Sequence, residues 1–287
     1  MWVFYAFGSA VFAGLTAILA KIGVKKVDST VTTALRTVVV LVFAWCMVFV
    51  VGSEGQLSSL SVKTWVFLLL SGIATGASWL CYFKALQLGD VNKVAPVDKS
   101  SILLTMLLAF IFLGESFTPL KFVSLILIGA GTYLMLQLKT KATRSKTKGR
   151  GWLFYAILSA VFAALVTILA KIGIQGVESN LGTAIRTIVV LAMSWGMVLI
   201  TKKGEAVKKI DRKSGVFIAL SGVATGLSWL LYFRALQDGP ASIVAPIDKL
   251  SIVFTVIFSY IVLREKLTRK SMMGLGAIVG GTLLLLV

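Results

Sequence analysis

SWLCYFKALQLGDVNKVAPVDKSS, residues Ser78–Ser101, returns at Ser228–Ser251 as SWLLYFRALQDGPASIVAPIDKLS. The repetition extends through the chain. A shift of 150 residues lays the sequence on itself without a gap: Trp2 on Trp152, Lys21 on Lys171, Arg36 on Arg186, Asp98 on Asp248, Glu115 on Glu265. Between Leu70 and Gly89, 15 of 20 positions are identical to those 150 later, so the two halves are copies of one unit. That unit holds five uncharged runs, Trp2–Ala20, Thr37–Ser53, Thr64–Phe83, Ser100–Gly114 and Phe122–Leu138. Each approaches or reaches the roughly 20 residues that a helix needs to cross a bilayer.

Composition points the same way. Of 287 residues, 58% are hydrophobic and 14% charged, against about a quarter charged in soluble domains. The runs are continuous rather than alternating, which excludes a β-barrel. The expectation is an all-α polytopic membrane protein with ten transmembrane helices. Residues 1–138 form the first five-helix repeat, 139–150 a basic linker and 151–287 the second repeat. Trp2–Ala20 has no basic leader and no small-residue cleavage site, so it reads as the first span and not as a signal peptide. Cys46 and Cys81 have Gly196 and Leu231 as counterparts and read as packing residues. The chain has no histidine, which removes the commonest acid–base group and metal ligand. No catalytic residue, metal or cofactor is expected.

An odd number of spans per unit forces the two copies to cross the membrane in opposite directions. This is the inverted repeat of many secondary transporters, whose substrate site lies near the midplane between the repeats. Counting Lys and Arg tests the arrangement. With the N-terminus outside, the first and third loops, the linker and the seventh and ninth loops carry 21 of them. The outer loops carry 4, namely Lys63, Lys121, Lys171 and Arg234. The imbalance predicts a multi-pass protein of the plasma (inner) membrane, with linker 139–150 cytoplasmic and both termini outside. It also accounts for the net charge of +18 without a nucleic-acid partner.

The third span of each half carries hydroxyls at helical spacing: Ser71, Thr75, Ser78 and Tyr82, then Ser221, Thr225, Ser228 and Tyr232. Beside them run Gly72, Gly76, Trp79 and Phe83, and their mates Gly222, Gly226, Trp229 and Phe233. Such a face either lines a cavity for a small polar solute or bonds neighbouring helices, and Gly72-xxx-Gly76 allows a close helix approach. The ionisable groups form two sets, Lys21, Arg36, Asp98 and Lys99, and Lys171, Arg186, Asp248 and Lys249. Intramembrane charge is costly and marks function by default. If the fourth helix begins near Ala95, Asp98 and Lys99 lie about one turn inside it, and Pro96 takes its first position. Asp98 then either caps that helix or joins Arg36 in a charged gate, with one gate at each mouth attracting an anionic solute. Glu115 closes the fourth span, exposed at the interface, handling protons or orienting a helix.

YFKALQLGDVNKVAPVDKSS with LLAFIFLGESFTPLKFVSLILIGAGTYL, and their copies from Tyr232 onward, resemble the EamA-type domain of the drug/metabolite transporter superfamily over nearly the whole chain. The resemblance implies ten helices and alternating access about a central cavity, with small metabolites such as amino acids as cargo. Members of this size commonly have cytoplasmic termini, whereas the charge count places both termini outside. The first span has no acidic residue, unlike the proton-coupled small multidrug resistance relatives, which speaks against organic-cation export. The expected function is secondary transport of an amino acid or related carboxylate. A phosphorylated or nucleotide sugar is the alternative cargo; a membrane enzyme or channel is the alternative class. The expected partners are the small-molecule substrate and the lipid bilayer, with the chain a monomer or homodimer.

Overall fold

The structure is a computed structural model that describes residues 1–23, 27–88, 94, 97–136, 151–263 and 269–286. Linker 139–150 and Glu265 lie outside the described residues. Eleven α-helices follow one another in the described residues: α1 Trp2–Gly23, α2 Ser29–Val51, α3 Val62–Leu88, α4 Ser101–Leu113, α5 Pro119–Leu136, α6 Gly151–Gly173, α7 Ser179–Ile200, α8 Arg212–Asp238, α9 Ala241–Lys249, α10 Ser251–Leu263 and α11 Arg269–Leu283. Helices α9 and α10 make one span, giving ten. Without water to bond the backbone, a bilayer segment satisfies its amides internally, and a helix does this within one segment. Bulky apolar side chains face outward: Phe4, Phe49, Ile111 and Met273 are each more than 60% exposed. Ala, Gly, Ser and Thr predominate inside, as expected where helices associate by close packing instead of by expelling water.

The halves are antiparallel and interwoven. Helix α1 packs on α8, and its mate α6 packs on α3; α2 meets α7, and α5 meets α11. The glycines repeat this twofold relation. A Cβ at Gly72 would lie 2.7 Å from Val189 Cβ, and one at Gly222 would lie 2.6 Å from Val39 Cβ, both pairs being 150 residues apart. Gly76 and Gly226 receive Met193 and Phe43 in the same way, so the glycine pattern does serve close helix approach.

Contacts at the membrane faces agree. Asp28 caps α2, its Oδ1 accepting the amides of Thr30 (2.9 Å) and Val31 (3.4 Å). Lys203, beyond the end of α7, donates to Asp28 Oδ2 at 2.7 Å. Burial alone raises the Asp28 carboxyl, but Lys203 and the two amides outweigh it and hold the pKa below the ordinary aspartate value. On the opposite face Glu178 caps α7 through Asn180 N (2.8 Å) and Leu181 N (3.1 Å), and Ser53, the mate of Lys203, donates to Glu178 Oε2 at 3.3 Å.

Two expectations change. The third span of each half runs beyond its aromatic residues, to Leu88 and Asp238, because nothing breaks the second copy before Gly239-Pro240. The fourth span of the second half begins at Ala241, four residues before the counterpart of Ala95. Pro240 is the residue that opens it, and Pro246 lies inside the helix. The first copy has Asp90 where Pro240 stands, so its sequence hid that start signal. Glu115 completes the start: Oε1 accepts Ala241 N at 2.6 Å and Oε2 accepts Ser242 N at 3.0 Å. Its position therefore fits the helix-orienting alternative. Gly114, with φ +66°, turns the chain so that Glu115 reaches back.

Candidate functional site

The broken fourth span moves its charges inward. At about 1.5 Å per residue, Lys249 lies about 12 Å into the α9–α10 span, roughly a third of the way along it and well beyond the first turn. The helix breaks at Leu250, next to the Asp248-Lys249 pair. Lys99 and Lys249 both line one chamber, whereas two separate mouths were expected for them.

Each aspartate is held by the other half. Ser9 on α1 donates to Asp248 Oδ1 at 2.7 Å and meets Ser228 Oγ at 3.2 Å. Its mate Ser159 on α6 donates to Asp98 Oδ1 at 2.8 Å and approaches Ser78 Oγ at 3.4 Å. Each aspartate also lies beside its own neighbour, with Lys99 Nζ 3.7 Å from Asp98 Oδ2 and Lys249 Nζ 3.9 Å from Asp248 Oδ2. Ser9 and Ser159 were not singled out from the sequence. The available signal was a hydroxyl at the same place in both first spans, within SAVFA.

Arg186 is the centre of the arrangement. It is 1% exposed, with Nε donating to Ser71 Oγ at 3.3 Å and Nη2 to Thr75 Oγ1 at 2.8 Å. Its guanidinium carbon lies 4.4 Å from the Phe233 ring centre and 5.3 Å from that of Trp229. Stacking on two aromatic faces stabilises a cation but does not neutralise it. Among the described residues no carboxylate lies within 4 Å of it. A buried charge without its counter-ion is costly.

The cavity beside Arg186 measures about 320 Å³. Of the sequence-nominated residues, Thr75, Ser78, Trp79, Arg186, Ser228, Trp229, Tyr232, Asp248 and Lys249 line it. Ser71 is behind Arg186 and donates to Val166 O at 3.0 Å. Ser221 donates to its own helix at Ile218 O, and Thr225 reaches Ser221 O and Thr16 Oγ1. Tyr82 packs in a separate cluster with Ala85 and Ala156. The hydroxyl stripe is thus part cavity wall and part helix contact. Lys171 ties its ammonium to carbonyls at the end of α8, Leu236 O at 2.5 Å and Gly239 O at 2.7 Å. Arg36 is half-buried and does not line this cavity. The Lys21 side chain lies outside the described residues. Thr167, 2.9 Å from Tyr232 Oη, joins the wall without having been nominated.

Comparison with known proteins bears on what such a cavity serves. The profile of the EamA-like transporter family matches residues 1–137 and again 150–287. An "Uncharacterized transporter in cobO 3'region" from Sinorhizobium sp is 45% identical over 134 residues, which cover 47% of this chain and 95% of that one. "Uncharacterized protein MJ1333.1" from Methanocaldococcus jannaschii is 30% identical over 135 residues, covering 45% of this chain and 91% of its own. Both relatives therefore have the length of one repeat. A solved structure described as "Crystal structure of protein" superimposes with a TM-score of 0.81 over 99% of this chain and 96% of that one; at 16% identity it shares the fold.

Proposed function

Because the chain belongs to the EamA-like transporter family and is thus a membrane transporter, we propose that it is a secondary transporter of amino acids or related small carboxylates, working by alternating access. The observation that carries the substrate class is Arg186, a buried guanidinium without a carboxylate partner among the described residues, on the wall of a cavity of about 320 Å³. That volume lies at the small end of ligand sites, which begin at about 300 Å³. A bound carboxylate would supply the missing counter-ion, with the hydroxyls of Thr75 and Tyr232 beside it. Asp248 on the same wall offers an acceptor for an ammonium group. Ser9, in holding Asp248, positions that acceptor from the other half.

Alternating access is supported by where the polar groups sit. They lie at the contact between antiparallel halves, next to the break at Leu250, where the backbone has already given up regular helix. The cargo's charge would then be met inside the bilayer, where charge is costly. The sugar-phosphate reading keeps one observation of its own, since Lys99 and Lys249 line an adjoining chamber together.

Counterflow in proteoliposomes decides between these. Preloaded unlabelled amino acid should accelerate uptake of labelled amino acid, and the acceleration should saturate. Acceleration by sugar phosphates alone would transfer the assignment to them, and a flux that never saturates would make the protein a channel.

The proposed setting is the plasma (inner) membrane, with linker 139–150 cytoplasmic, both termini outside and the protein acting as a monomer or homodimer. The support for this orientation is the distribution of Lys and Arg. With Cys46 and Cys81 replaced by alanine, a cysteine at Ser145 should resist an impermeant maleimide in intact cells and react after permeabilisation. Equal labelling in intact cells would reverse the orientation.

A further inference from the structure

Lys249 stands between the cavity beside Arg186 and another space. Lys249 and Ala13 also line a second chamber of about 340 Å³, bounded by α1, α10, α11, α5 and the residues leading into α4. Lys99, Ile102 and Thr132 in turn belong both to this chamber and to a third space of about 190 Å³ between α4 and α5. The third space is rimmed by Leu103, Gly129 and Tyr133. Tyr133 is 54% exposed and shares the outward face of α5 with Phe122 and Ile126. Shared wall residues thus set three neighbouring spaces in series, from a guanidinium, past two ammonium groups, to the bilayer-facing surface.

The wall changes character along the way. Near Arg186 it carries hydroxyls, indoles and a carboxylate; at the far end, beyond Lys99, Ser100 and Thr132, it is Ile102, Leu103, Gly129 and the Tyr133 ring. The slot exists because α5 pairs mainly with α11 and touches α4 little. A site for a wholly polar solute gains nothing from an apolar slot facing acyl chains, since lipid tails would compete for it. A cargo with an apolar tail does gain: moving a methylene from water into such a wall favours binding by about fourfold.

We propose that the protein carries amphipathic carboxylates, with the carboxylate on Arg186 and an alkyl tail running past Lys99 into the slot between α4 and α5. This rests on the carboxylate reading of the Arg186 cavity and adds the tail to it. The occupant of the slot is the cargo's own tail; an acyl chain of a bilayer lipid is the rival occupant.

N-acylglycines from acetyl to decanoyl, which keep one head and vary the tail, test both parts. Binding is measured by calorimetry on the full chain in nanodiscs, with protein-free nanodiscs subtracted. Affinity should rise about fourfold per methylene and level off once the slot is full. Gly129→Leu should weaken decanoylglycine at least tenfold and leave acetylglycine unchanged. A Cβ at this position meets only the tip of Leu103, its Cδ1 at 3.3 Å and Cδ2 at 3.7 Å. Thr132→Leu narrows the same passage and should act in the same sense if the first variant does not fold.

An affinity independent of chain length overturns the proposal, and so does decanoylglycine binding untouched by either variant. In both cases acetylglycine binding that is lost in Arg186→Gln leaves the carboxylate reading standing. Decanoyl binding that responds to Gly129→Leu but not to Arg186→Gln assigns the slot to lipid chains and overturns the proposal too. If no acylglycine binds, the proposal falls, while the amino-acid reading, whose ammonium group an acylglycine lacks, is decided separately by amino-acid counterflow.

Discussion

Replacing Arg186 by glutamine is expected to lower carboxylate counterflow by about 10- to 100-fold while leaving the protein folded. The first half of this expectation follows from charge. A hydrogen bond to an ionised group contributes about 1.5–3 kcal/mol, and nothing else on the cavity wall offers a guanidinium fork to a carboxylate. The second half follows from what surrounds the side chain. Ser71 and Thr75 accept from Arg186, but they donate elsewhere, to Val166 O and Ser71 O. Removing the arginine leaves both donors satisfied and takes an uncompensated charge out of the interior, which favours stability or leaves it unchanged. Arg186→Lys keeps the charge without the planar fork, and should fall between wild type and Arg186→Gln. Counterflow saturation curves and survival after heating are the two readouts. A glutamine variant with the wild-type saturation constant for carboxylates would remove Arg186 from the site.

The second large effect lies away from the cavity. Gly131→Ala should weaken the α5–α11 contact by about 1–3 kcal/mol, the usual cost of overpacking. A Cβ there would stand 2.5 Å from Gly274 O and 2.9 Å from Ile278 N. Both are backbone atoms and cannot turn aside as a side-chain tip can. Gly276, two residues along α11, has nothing within 4 Å of its would-be Cβ. Alanine at 276 should therefore be neutral or slightly stabilising, because alanine is the better helix former. Survival of the folded fraction after heating in detergent should separate the two variants clearly. Equal loss from both would mean that α5 and α11 do not depend on this approach.

The sequence displayed the architecture because a gapless copy at 150 residues leaves few alternatives, and an odd span count dictates inversion. The close helix approach was also legible, since glycines at i and i+4 in an apolar helix have few other uses. The depth of the charges was not. The start near Ala95 was expected from the length that the run Ser100–Gly114 lacks, with Pro96 at the first position. Ala95 and Pro96 lie outside the described residues, and in the second copy Pro246 is internal, which a bilayer helix tolerates when its neighbours can re-satisfy the freed backbone groups. The real opener, Pro240, is present in only one copy. Nor could composition say which of two matched arginines would be stacked on rings and bonded to hydroxyls. Arg36 and Arg186 have matching sequence surroundings, and the difference lies in how the partner half meets each of them. Glu115 was ambiguous for a related reason: its partners are amides 126 and 127 residues later.

The interweaving of the halves also bears on how the chain is made. Helix α1 has its principal partner in α8, and Ser9 meets Asp248 across 239 residues. At about 5–20 residues per second, the ribosome needs roughly 10–40 s to deliver α8 after α1 has been inserted. During that interval α1 keeps Ser9 unpaired in lipid, and α3 waits likewise for α6. The first half therefore has little to fold against until the second arrives, and maturation should be a late, concerted closure instead of one repeat following another.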